Sequence, residues 1–273
     1  MAPGVGRELL RASHPEPGIT VTAIAVALAA ASGRAVVGVV AVGAAVYAGQ
    51  LSVGWHNDWL DAARDQVAER ADKPVARGTL TRSAVGLGAC VALAACVPLS
   101  FLSGWRAAVA HVAAVALAWG YNAGLKATVL SWLPYALSFS LLVAFVSLGL
   151  PGSPGPPAWA LGAAALLGTG AHLANAAPDI DADQATGVRG LPLRLGYERS
   201  VAGAAVLLVA ASALIAVGPG RLQWQVVGLP IAVAFVVGGS LGARRPGSRR
   251  LFRAAMAVAV VDVAMLVAQG RLR

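Results

Sequence analysis

The sequence predicts an all-α, polytopic membrane protein with nine transmembrane helices, and three observations predict it. The 273 residues are 58% hydrophobic and only 12% charged, about half the charged share of a soluble domain. Mean hydropathy is +0.72, and a water-facing surface cannot be covered from such a pool. Second, the apolar residues fall into nine runs, most of them near the roughly 20 residues that a bilayer core requires. Third, the 21 Lys and Arg and 12 Asp and Glu, a net charge of +9, sit in short clusters between the runs, as in the loops of a membrane protein. A nucleic-acid binder of this charge needs a soluble basic face, so no nucleic-acid partner is expected.

The runs, in order, justify the count. The first, 19–33, follows Arg7 and Arg11; further spans come after it, so it reads as a retained helix rather than a cleaved signal. Runs follow at 35–56, 80–100, 104–125 and 128–150, the last ending at the breaker PGSPGPP, 151–157. The remaining four are 157–177, 200–218, 222–243 and 252–270. Ala, Val, Leu and Gly dominate them, and the small residues permit close helix approach in lipid. No stretch is left for a soluble domain, so residues 1–273 read as a single membrane domain. With a cytoplasmic N-terminus and nine spans, 16 bases fall on or near the inner face. Only Arg34, Arg106, Arg221, Arg271 and Arg273 fall outside. This bias predicts a multi-pass protein of the cell membrane with its C-terminus on the outer side. Cys90 and Cys96, six residues apart in one run, suggest neither a disulfide nor a metal site.

Nine of the twelve acids are concentrated in two inner connections, about 57–79 and 178–199. In Asn57-Asp58-Trp59-Leu60-Asp61-Ala62-Ala63-Arg64-Asp65, a continuing helix lines up Asn57, Asp61 and Asp65 on one face, with Asp58 beside Asp61. Like charges so stacked repel. A divalent cation removes the repulsion, and carboxylate and amide oxygens suit Mg²⁺. Asn175-Ala176-Ala177-Pro178-Asp179-Ile180-Asp181-Ala182-Asp183 repeats the spacing after the sixth run, so Asn175, Asp179 and Asp183 form a second candidate metal-binding ridge. Facing one another, the ridges have the chemistry to hold a diphosphate between Mg²⁺ ions, with Asp61, Asp65, Asp179 and Asp183 as the catalytic carboxylates.

Bases trail each motif: Lys73 and Arg77 after the first, Arg189 and Arg194 after the second. They are candidate diphosphate ligands, although positive inner loops alone also require bases. Tyr121 and Lys126 lie at the inner end of the fourth run. The Tyr121 ring is a candidate catalytic stabiliser of a carbocation and Lys126 a candidate diphosphate ligand; an interfacial aromatic belt and a snorkelling lysine are the plainer alternative. Glu69, Asp72 and Glu198 read as solvent-facing. Asp262 is the acid set deep in a span, and the histidines show no ligand-like spacing.

With NDWLDAARD at 57–65, KPVARG at 73–78, YNAGLK at 121–126, DIDAD at 179–183 and LPLRLG at 191–196, the chain resembles the UbiA-type intramembrane prenyltransferases over nearly its whole length. That resemblance implies nine helices around a central cavity, aspartate motifs that face each other near the cytoplasmic side, and a prenyl diphosphate bound through Mg²⁺. It implies Asn57, Asp61 and Asp65 as one half of the site, supported by Asp58, and Asp179 and Asp183 as the other, with Asn175 in the matching position. Lys73, Arg77, Lys126 and Arg194 resemble the bases that contact diphosphate. The implied reaction transfers a prenyl group to an aromatic or other quinone-precursor acceptor. The sequence departs from a symmetric pair at Ala176, where the first motif has Asp58. Two other readings share parts of this pattern: a membrane terpene cyclase, in which the cation closes on its own double bonds, and a transporter. No oligomeric state follows from these patterns.

Overall fold

The computed structural model describes residues 4–185, 187–218, 225–243 and 247–268, and among them there is helix and no strand. A short helix, α1 (Val5–Ala12), precedes α2 (Pro15–Ala31), α3 (Val36–Val67), α4 (Arg82–Phe101), α5 (Trp105–Ala123), α6 (Leu133–Leu148) and α7 (Ala158–Ala176). Two short helices, α8 (Ile180–Ala185) and α9 (Leu191–Leu195), lead to α10 (Tyr197–Val217), α11 (Gln225–Gly242) and α12 (Arg250–Ala268). Each of the nine apolar runs thus contains one long helix among the described residues. By length and composition, α3, α4, α10 and α12 are able to cross a membrane; α2, α6 and residues 227–242 of α11 are apolar but shorter. Arg221, Arg244, Arg245, Arg271 and Arg273, counted in the charge bias, lie outside the described residues.

The helix ends follow local chemistry. Pro15 and Pro17 open α2, where a missing N–H costs nothing, so this helix starts four residues before the apolar run. Thr81 caps α4 by accepting the Ala84 N–H at 3.2 Å. Helix α3 does not stop where its apolar run ends at 56: nothing in NDWLDAARD breaks a helix, and it continues to Val67. Helix α1 was not legible as a span because it is eight residues long.

Packing runs in chain order and then closes. Helix α2 packs on α3, α3 on α4 and α5, α5 on α6, α6 on α7, α7 on α10, α10 on α11 and α11 on α12, which returns to α2 and α7. Buried positions are mostly Ala, as at Ala25, Ala45, Ala89, Ala107 and Ala211, while larger side chains such as Val36, Val37, Leu87, Trp105 and Val206 face outward. This is the pattern expected of helices that meet through small residues and present their bulk to lipid. Gly168 shows the effect: a Cβ there would lie 2.5 Å from the Tyr135 carbonyl oxygen. Helices α2, α3, α5, α6, α7 and α12 enclose a cavity of about 440 Å³, and α4, α10 and α11 pack outside this ring.

Candidate active site

The extension of α3 places Asn57, Asp61, Arg64 and Asp65 on the cavity wall. The second ridge arises differently. Helix α7 ends at Ala176, Pro178 tightens the next turn into a 3₁₀ segment, Ala177–Asp179, and α8 follows. Asn175, Asp179 and Asp183 reach the same cavity. The two motifs, more than a hundred residues apart in sequence, therefore meet across one polar mouth.

Bases hold the carboxylates apart. Lys126, in the 3₁₀ turn Leu125–Ala127, donates to both oxygens of Asp61 at 2.5 and 2.7 Å. Arg64 donates to Asp61 at 2.8 Å and reaches Asp183 at 3.9 Å, so one guanidinium links the motifs. Asp179 lies 3.8 Å from Arg70 and 3.4 Å from Arg249. Burial lowers the Lys126 pKa, an effect opposed by Asp61, and burial raises that of Asp183, opposed by Arg64. Asp72 is lowered to about 2, chiefly by its hydrogen bonds from Arg70. Among the described residues no three His, Cys, Asp or Glu side chains form a ready metal cage.

Asp58 is placed elsewhere. It is buried on the neighbouring face of α3, held by Lys73 at 2.5 Å and His14 at 2.9 Å, and it does not line the cavity, whereas Lys73 and His14 do. Arg77 is also directed away: it donates to the buried Glu8 carboxylate of α1 at 2.5 Å, alongside Thr79 at 2.9 Å. Arg189 and Arg194 are exposed outside the cavity lining, with Arg194 Nε donating to the Arg189 carbonyl at 3.3 Å. Asp262 is buried in α12 away from the cavity.

Below the charged mouth lies an aromatic layer. Tyr121 meets Tyr135 edge-on at 5.1 Å and His172 at 5.7 Å, and Tyr135 lies 5.0 Å from His172. Asn175 donates to the Tyr135 hydroxyl at 3.4 Å, which ties this layer to the second motif. The His172 Nε2 pairs with Ser131 Oγ at 3.0 Å. Val21, Ile24, Val115, Leu142 and Leu167 continue the wall as an apolar chamber.

The model of the UbiA prenyltransferase family matches residues 19–261. The chain belongs to this family. A UbiA homologue from Aeropyrum pernix K1 superposes with a TM-score of 0.76 at 18% identity, over 93% of this chain and 98% of that one. A UbiA homologue from Archaeoglobus fulgidus, solved bound to DMAPP and Mg²⁺, gives 0.73 at 17% identity, over 94% and 97%. A structure of digeranylgeranylglyceryl phosphate synthase gives 0.66 at 15%, over 96% of each chain. Among curated proteins, none matches the sequence. The UbiA fold is thus shared at full length.

In this UbiA member the structure adds His14, Arg64, Arg70, Tyr135 and Arg249 to the residues singled out by sequence. Arg64 had a signal, since it lies three residues after Asp61 within the first motif. Tyr135 follows Pro134 at the start of α6 and reads as an interfacial aromatic. Arg249 has no sequence signal; it precedes α12 and reaches Asp179 only because the helix ring closes.

Proposed function

We propose that the protein is an integral-membrane, Mg²⁺-dependent prenyltransferase that moves a prenyl group from a prenyl diphosphate to an aromatic or quinone-precursor acceptor. The observation that carries the reading is a single cavity with two facing carboxylate ridges and their bases at its mouth, and an apolar chamber below. Family membership and the DMAPP and Mg²⁺ bound by the Archaeoglobus homologue support it.

The donor set fits the metal. Asn57, Asp61, Asp65, Asn175, Asp179 and Asp183 offer oxygen ligands, and Mg²⁺ is characteristically held by one or two carboxylates together with water and substrate phosphate rather than by a closed protein cage. Bound there, the metal would neutralise the ridges and stabilise the departing diphosphate as a Lewis acid. Lys73, Lys126, Arg64, Arg70 and Arg249 bind the remaining diphosphate oxygens. As the C1–O bond breaks, its electron pair leaves with the diphosphate. The Tyr121 and Tyr135 rings face the allylic cation, and the apolar walls keep water from it. The acceptor nucleophile then bonds to C1 and loses a proton. The protein lies in the cell membrane with this mouth on the cytoplasmic side.

Diphosphate release and product mass are measured in purified, detergent-solubilised protein with a prenyl diphosphate donor and a panel of aromatic acceptors. Prenylated acceptor forms only with Mg²⁺, chelation stops it, and Asp61→Asn or Asp183→Asn lowers the rate on the order of 10²-fold or more. Full release by both variants would overturn the site. A cyclic hydrocarbon from donor alone would replace transfer by cyclisation.

A further inference from the structure

At the bundle end opposite the charged mouth, one arginine is folded inward. Arg34 stands in the turn between α2 and α3, two residues before α3 begins; the first aspartate ridge lies at the other end of that helix. The Arg34 Nη1 is buried. A Cβ on Gly149, which caps the C-terminus of α6, would overlap Nη1, and a Cβ on Gly38 of α3 would overlap Nε. The two glycines leave room for a guanidinium laid against the end of α6, where the helix dipole favours a cation. An arginine that only snorkels extends away from the bundle and needs no such cradle.

Nothing in the protein answers this charge. Nη1 has no hydrogen-bond partner, and Arg34 forms no ion pair among the described residues. The connections 32–35, 102–104 and 149–157, at this end of their helices, contain no acid. The guanidinium is enclosed at Nη1, while the residue as a whole is half-buried, so one side is desolvated and the other is open. A partly desolvated guanidinium gains more from an anion than one in water does.

The surroundings say which anion. Val36, Val37 and Val40, on the first turns of α3, are 78%, 83% and 64% exposed, an apolar face for acyl chains. Trp105, 69% exposed at the start of α5, is placed as an interfacial anchor. Hydrocarbon beside the charge suits a phospholipid rather than a free ion. With no acid at hand to receive a choline or ethanolamine ammonium, an anionic headgroup fits better than a zwitterionic one.

We propose that Arg34, in its Gly38–Gly149 cradle, binds the phosphodiester of an anionic phospholipid whose chains lie along Val36, Val37 and Val40. The site is separate from the cavity, which Arg34 does not line, and it requires nothing of the prenyltransferase reading.

The test reads the lipid at that position. Val37→Cys, in a background with Cys90→Ala and Cys96→Ala, is labelled with bimane. The full chain is reconstituted in vesicles that mix phosphatidylglycerol with phosphatidylcholine. One lipid at a time carries brominated chains, which quench the label on contact and give the ratio of the two binding constants. Phosphatidylglycerol is expected to be favoured by about tenfold with Arg34 present. Arg34→Gln brings the ratio near unity. Arg34→Lys lowers it in part, because a charge remains without the planar fork. Arg106→Gln, which removes an exposed arginine from the same end, leaves it unchanged. A ratio near unity with Arg34 present overturns the site. So does an equal loss in Arg106→Gln, which would make the preference a property of surface charge. Millimolar inorganic phosphate that abolishes the preference at constant ionic strength would assign the site to a free anion and overturn the lipid.

Discussion

Glu8 is buried under α1, far in sequence from the motifs, and gathers Arg77, Thr79 and Arg11 around one carboxylate. Burial opposes its ionisation, but the hydrogen bond from Thr79 and the charges of Arg77 and Arg11 outweigh it, so its pKa is held below the ordinary glutamate value. A carboxyl with a lowered folded pKa adds stability that is present above its unfolded pKa and lost as pH falls through the folded value. Thermal melts in detergent should therefore show the parent losing stability below about pH 4.5, with the drop reduced in Glu8→Gln. Equal pH profiles would show that the clamp adds no stability. The clamp also explains Arg77: the spacing of KPVARG marks it as a phosphate ligand, whereas a buried acid on another helix holds it. Asp58 is similar. Helical periodicity places it one residue from the Asn57 face, and only the fold shows that this direction leads to His14 and Lys73.

At the scale of elements, α3 does the most to build the site. Its polar turns carry the first motif, and its Gly54 lets the N-terminal segment cross it. A Cβ at Gly54 would overlap the Ser13 carbonyl, and the next residue, His14, has φ +53° and contacts Asp58. Gly54→Ala should cost about 1–3 kcal/mol of stability through overpacking. It should also raise the donor KM, because His14 and Lys73 move together. A variant with parental melting temperature and KM would refute the crossing. The extent of α3 was legible: the Asn57, Asp61 and Asp65 spacing makes sense only on a helix, and the helix is there. The architecture of 178–199 was not legible. Pro178 announces a disturbance but does not say that a 3₁₀ turn and two short helices follow, because which turn forms depends on what it packs against.

For the whole molecule, the nine runs and the charge bias predict sidedness. On that expectation the loop at 151–157 would lie outside and the connection at 68–81 inside. In a background with Cys90 and Cys96 replaced by Ala, Ser153→Cys should react with a membrane-impermeant maleimide in intact cells. Ala71→Cys should react only after permeabilisation. The reverse pattern would invert the orientation. Even spacing of apolar runs gives the number of long helices because hydropathy is a one-dimensional property, fixed by each segment independently of its neighbours.

Sequence alone determined three things: the apolar helical bundle, the nine long helices found among the described residues, and the gathering of most of its acids into two aspartate-rich ridges. Each is written in local composition or in spacing along one helix. The tertiary structure alone decided which bases meet those ridges. Lys126 and Arg64 reach Asp61, and Arg70 and Arg249 approach Asp179, while Arg77, Arg189 and Arg194 point elsewhere. It also decided that Asp58, one residue from the first ridge, turns to Lys73 and His14 instead of the cavity. The physical reason is the same in both cases: a long basic side chain or a buried polar group takes its role from the helix opposite, and closure of the ring, through contacts far apart in sequence, sets which helix that is.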